Sequence, residues 1–97
     1  MNQKVIMIIT ASINPQEPEA LKNYIEKSSP LFKAAGGQTI SKYTINNSLV
    51  GTTQLNLVKI MEFSSRLALE SVFEGQEYQK LLAFRDKAFL TLNIYLS

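Results

Sequence analysis

Neither cysteine nor histidine occurs in this sequence. Without cysteine there is no disulfide, no thiolate nucleophile and no thiolate metal ligand. Without histidine, the usual metal ligand and the usual neutral-pH base are both missing. Histidine-ligated haem, the common zinc sites and Ser-His-Asp hydrolysis are thereby excluded, and no metal or other cofactor is expected. Glycine is scarce. Gly36-Gly37, Gly51 and Gly75 lack the spacing of a phosphate loop. The acidic residues make no calcium-loop pattern. Charge of one sign is also scarce, since 10 Lys and Arg against 8 Asp and Glu leave a net charge of +2. The lysines are scattered and no basic cluster interleaves with aromatics, so no nucleic-acid partner is expected. The longest apolar run, residues 5–9, is too short to cross a bilayer. It follows only four residues and precedes no clear signal cleavage site, so it reads as a strand. No membrane partner is expected, and the location inferred is cytoplasmic.

What is present describes one domain over residues 1–97, with 45% hydrophobic and 19% charged residues. Residues 5–11 are rich in β-branched side chains and do not alternate, as in a strand buried on both faces. Asn14-Pro15 marks a turn. Between residues 17 and 35, Leu21, Tyr24, Ile25, Ser28, Leu31, Phe32 and Ala35 recur at helical spacing. Gly36-Gly37 stops that helix, and Pro30 predicts a kink or break after Ser28-Ser29. Residues 38–45 form a second strand and 55–63 a third. On the third, Leu57, Lys59, Met61 and Phe63 share one face, and Val58, Ile60 and Glu62 the other. Ser64 or Ser65 caps a helix that ends at Gly75. A short helix follows over residues 77–87. In a final strand over residues 89–96, Leu90, Leu92, Ile94 and Leu96 face one side and Phe89, Thr91, Asn93 and Tyr95 the other.

This order is β-α-β-β-α-β with the second helix broken, the split βαβ or ferredoxin-like plan of the α+β class. It predicts a four-stranded antiparallel sheet in the spatial order 4-1-3-2, with helices on one face. The opposite face has no cover within the chain. The first strand nevertheless carries apolar groups on both sides, so a homodimer through the sheet faces is expected.

Three pieces of sequence, Glu62-Phe63-Ser64-Ser65, then Glu77-Tyr78-Gln79-Lys80-Leu81-Leu82, then Arg85, resemble the domain-of-unknown-function 1330 family. Gly36-Gly37 before the second strand is similar too. The resemblance spans nearly the whole chain and implies the dimeric α/β-barrel superfamily of ferredoxin-like proteins. That superfamily includes cofactor-free monooxygenases, haem-degrading enzymes, muconolactone-isomerase-like proteins and proteins of no known activity. The chain departs from the family pattern before the third strand, where Val50 and Thr52, on either side of Gly51, stand in place of an acidic residue and an aromatic. The early aromatic of the first strand is aliphatic here.

The candidate ligand-binding residues are Glu62, Tyr78, Arg85, Lys42 and Tyr43. Glu62 lies among apolar neighbours, where a carboxyl can act as acid or base; otherwise it is a strand-end carboxylate pairing with a cation. Tyr78 and Arg85, seven apart, share a helix face and can hold an anionic or phenolic ligand; otherwise they are a core tyrosine and an arginine paired with a glutamate or Asp86. Lys42 and Tyr43 point to opposite sides of the second strand. Tyr24 reads as core and Tyr95 as dimer interface. Two functions follow. In the first, a small dimer binds or transforms a small apolar or anionic molecule in a cleft between helices and sheet; an oxygenase of this kind relies on substrate reactivity. In the second, the chain is a non-catalytic dimerisation or assembly subunit. No residue pattern assigns a reaction.

Overall fold

The computed structural model describes residues 4–97; residues 1–3 at the start of the segment that precedes the first strand lie outside it. Strand β1 (Val5–Ile13) leads to helix α1 (Pro18–Ala34), then to strands β2 (Gln38–Thr44) and β3 (Leu57–Phe63). Helices α2 (Arg66–Glu74), α3 (Gln76–Gln79) and α4 (Leu82–Ala88) precede the last strand, β4 (Phe89–Leu96). All pairings are antiparallel and the sheet order is β2-β3-β1-β4, the order the sequence predicts. The fold is ferredoxin-like.

Helix α1 starts with Pro18 in its first turn, where a missing N–H costs nothing. Just past its C-cap, Ala35, stands Gly36, whose φ of +88° is left-handed. Of the kink or break expected at Pro30, the break does not occur, and the helix runs on through it. Pro30 and Glu26 are both exposed, so the carbonyl that loses its partner can turn to water. Ser65, not Ser64, caps α2 by accepting from the Ala68 N–H at 3.1 Å. The stretch expected as one helix over residues 77–87 is two pieces, because the chain is interrupted at Lys80-Leu81, with Leu81 buried in the core.

The core lies between the helices and one sheet face. Met7, Phe63, Leu69 and Tyr78 are its largest fully enclosed side chains. Edge-on aromatic contacts tie it together: Phe73 to Tyr78 at 4.8 Å and Tyr24 to Phe89 at 5.6 Å. The chain turns from α1 into β2 across Phe63, since a Cβ on Gly37 would stand 2.6 Å from that ring.

Two bulges, both on edge strands, set the faces. On β4 Ile13 opposes Phe89 but Ser12 opposes Thr91, so Leu90 is the extra residue. This corrects the face assigned to Phe89, which joins Leu92, Ile94 and Leu96 under the helices while Leu90 is exposed. On β2, Thr39 opposes Met61 and Ser41 opposes Ile60, so Ile40 is extra. The uncovered face carries Ile6 and Ile8 of β1 and Val58 and Ile60 of β3, flanked by Tyr43 and Tyr95 on the edge strands. Among the described residues, no helix is long and apolar enough to cross a membrane.

Candidate functional site

The β2 bulge decides what faces α1. A regular ladder continued from Thr39 would set Ser41 opposite Lys59. With Ile40 bulged, Lys42 stands directly opposite Lys59, and both enter the space between α1 and the sheet. Tyr43 opposes Val58 on the other face and is 56% exposed. The cleft so formed has a volume of about 380 Å³. Its walls are mainly aliphatic and aromatic, including Ile9, Leu21, Phe32 and Met61, with Tyr24 and Ser28 from α1. No acidic residue lines it.

Lys59 sits on an interior strand and is half-buried; Lys42 sits on the edge strand and is exposed. Burial pushes the Lys59 ammonium below the ordinary lysine range, and the nearby positive charge of Lys42 pushes it further. Like charges directly opposite in a sheet are destabilising. An anion between them would relieve that repulsion.

Tyr78 and Arg85 meet elsewhere. The Tyr24 and Tyr78 hydroxyls lie 2.7 Å apart, buried, and Arg85 Nη1 donates to Tyr78 Oη at 3.4 Å. The guanidinium stands 5.8 Å from the Tyr78 ring centre. Burial raises the Tyr24 phenol far above the ordinary tyrosine range, and its bond to Tyr78 raises it further, so it stays neutral. Arg85 borders an open groove of about 690 Å³ along α4 and β4, next to Phe73 and Phe89. The hydrogen-bonded chain Tyr24–Tyr78–Arg85 therefore runs from the lysine cleft to this groove. Arg85 also approaches Asp86 at 3.7 Å, at the surface. Arg85→Met is expected to lower stability by under about 1.5 kcal/mol in a urea titration, because Tyr78 keeps Tyr24 as partner. Unchanged stability with loss of a co-purifying anionic compound would instead place a ligand on Arg85.

Glu62 does not join this group. It alternates with Met61 and Phe63, which point into the core, so it faces the uncovered side of the sheet and pairs with Lys4 at 3.0 Å. The expected constellation of Glu62, Tyr78 and Arg85 is thus divided by the sheet, with Tyr43 on the side of Glu62 and Lys42 on the side of the cleft. Lys59 is the residue that sequence reasoning passed over. Its signal is visible: it is the one charged residue on a strand face shared with Leu57, Met61 and Phe63. Among the described residues, no group of three or more carboxylates that could hold a metal comes together.

The profile of the family "Domain of unknown function (DUF1330)" matches residues 6–95. A protein of unknown function from Rhodopseudomonas palustris has a similar structure, with a TM-score of 0.86 at 19% identity over 100% of this chain and 82% of its own. A NIPSNAP family protein of unknown function from Agrobacterium tumefaciens gives 0.66 at 12% identity, over 99% of this chain and 87% of its own. A candidate antibiotic biosynthesis monooxygenase from Nitrosomonas europaea gives 0.66 at 12% identity, over 96% and 95%. At these identities the likeness concerns the fold. No protein of curated function matches the sequence.

Proposed function

The chain belongs to the DUF1330 family, and from that premise we propose that it binds a small apolar molecule carrying an anionic group in the cleft between α1 and the sheet. One observation carries this reading: the cleft is lined by Lys42 and Lys59 with no carboxylate to neutralise them. Among the described residues, neither lysine takes part in an ion pair. Two facing ammonium groups cost stability unless something negative sits between them. The apolar walls and the cleft's size suit a molecule of about ten heavy atoms or somewhat more. A cytoplasmic location fits the lack of cysteine. The binding unit we infer is a homodimer through the uncovered sheet faces, supported by the aliphatic stripe of Ile6, Ile8, Val58 and Ile60.

Isocaproate and its primary amide test the proposal, because they share shape and differ in charge. A hydrogen bond to a charged group contributes about 1.5–3 kcal/mol, so calorimetry is expected to show the acid binding at least about tenfold more tightly. The Lys42→Met/Lys59→Met double variant is expected to lose that preference while staying folded, since methionine keeps the stem of each side chain. Equal affinity of wild type for acid and amide, or no binding of either, would overturn the reading.

A further inference from the structure

Resting on the cationic cleft proposed above, we propose that Lys59 is a nucleophile that forms an imine with an apolar aldehyde or ketone bearing a carboxylate, such as an α-keto acid. The two lysines are equivalent in chemistry but not in position. Lys59 is on an interior strand, flanked along the chain face by Leu57 and Met61 and across the ladder by Ile9. Lys42 is on the edge strand and exposed. A lysine amine attacks carbonyl carbon only when neutral. Desolvation in an apolar site and a second cation close by both favour the neutral form. Lys59 has both, and its depressed pKa follows from them in that order. The other titratable groups lining the cleft are Lys42 from β2 and Tyr24 from α1, while β1 and β4 contribute none. No carboxylate there holds Lys59 charged.

The roles then divide. The Lys42 ammonium receives the carboxylate at the exposed side of the cleft. The carbonyl carbon of the same molecule is carried inward to Lys59, and its apolar tail lies against the walls. The Lys59 Nζ lone pair forms the C–N bond, and the carbonyl oxygen takes up a proton. The resulting carbinolamine expels that oxygen as water, with both amine hydrogens accounted for, and a C=N bond remains. No oxidant or reductant is consumed.

Incubation of the protein with α-ketoisocaproate and cyanoborohydride tests this, since the added hydride reduces the C=N bond to a stable secondary amine. Peptide mass mapping is expected to find the mass of the keto acid less one oxygen on Lys59. Labelling there should proceed at least about tenfold faster than on any other lysine. Lys59→Arg is expected to abolish the fast adduct yet still bind unreactive isocaproate, because arginine keeps the charge. Lys42→Met should slow labelling in proportion to its loss of isocaproate affinity. Even labelling across the lysines, or none at Lys59 while isocaproate binds, would overturn the imine and leave the anion cleft intact. Absence of both binding and fast labelling would overturn the two together.

Discussion

Phe63→Ala is expected to lower stability by about 3–5 kcal/mol, in the range measured when a buried phenylalanine is emptied to alanine. Phe63 is fully enclosed, stacks edge-on with Phe32 at 6.3 Å, and forms the floor beneath Gly37. For a domain of this size the loss corresponds to a fall in Tm of roughly 15–30 °C. Thermal unfolding followed by circular dichroism reads it directly. A partner experiment isolates the cause. Gly37→Ala places a Cβ 2.6 Å from the Phe63 ring and 2.9 Å from the Phe32 carbonyl oxygen, so it should destabilise strongly by itself. In a Phe63→Leu background the ring is gone while the carbonyl contact remains. The Gly37→Ala penalty is then expected to shrink by about 1 kcal/mol or more, a coupling that a double-mutant cycle measures. Additive effects would show that the ring is not what requires glycine there.

Ile8→Glu is expected to convert a sheet-to-sheet dimer to single chains. Ile8 faces the uncovered side, between Ile60 of β3 and Tyr95 of β4. A face-to-face pair through this surface should bury on the order of 1,500 Å² in total, a standard stable interface. A carboxylate at its centre would be buried without a partner, at a cost of about 3–5 kcal/mol. In one chain alone the same side chain points to water, so the fold should persist. Sedimentation is therefore expected to show half the wild-type mass with an unchanged circular dichroism spectrum. Met7, the neighbouring position, offers no such test, because it is wholly enclosed in the core and a charge there would unfold the chain. Wild type sedimenting as a single chain, or Ile8→Glu sedimenting as a dimer, would refute the interface.

Much of the architecture was legible because it rests on local signals. Gly36-Gly37, the β-branched run of β1, and the 3.6-residue stripe of α1 each act within a few residues of themselves. The strand order followed from the β-α-β-β-α-β pattern. The site was less legible because it depends on pairing. Alternation along β2 and β4 gives the face of each residue only in a regular ladder, and an extra residue at Ile40 or Leu90 shifts parity without any glycine or proline to announce it. Phe89 was misassigned for that reason. Glu62 shows a different limit. Its face was read from the third strand as Val58 and Ile60, but the sequence does not say which face the helices cover. Lys59 was legible in principle, since a lone charge among Leu57, Met61 and Phe63 has to be explained by something it meets.

Both bulges lie on the outermost strands, and this bears on edge-to-edge association. A smooth edge strand is an open row of N–H and C=O groups on which another chain can extend the sheet without end. At Ile40 and at Leu90, near the start of each edge strand, the row is interrupted and the local twist increased, so the regular stretch each margin offers is shortened to residues 41–44 and 91–96. Deleting either residue would leave every other side chain on its present face, so the core and the lysine cleft would lose nothing. What would be lost is colloidal behaviour: a chain without Ile40 and Leu90 should fold normally when dilute and gel when concentrated, its smoothed edges free to pair without bound.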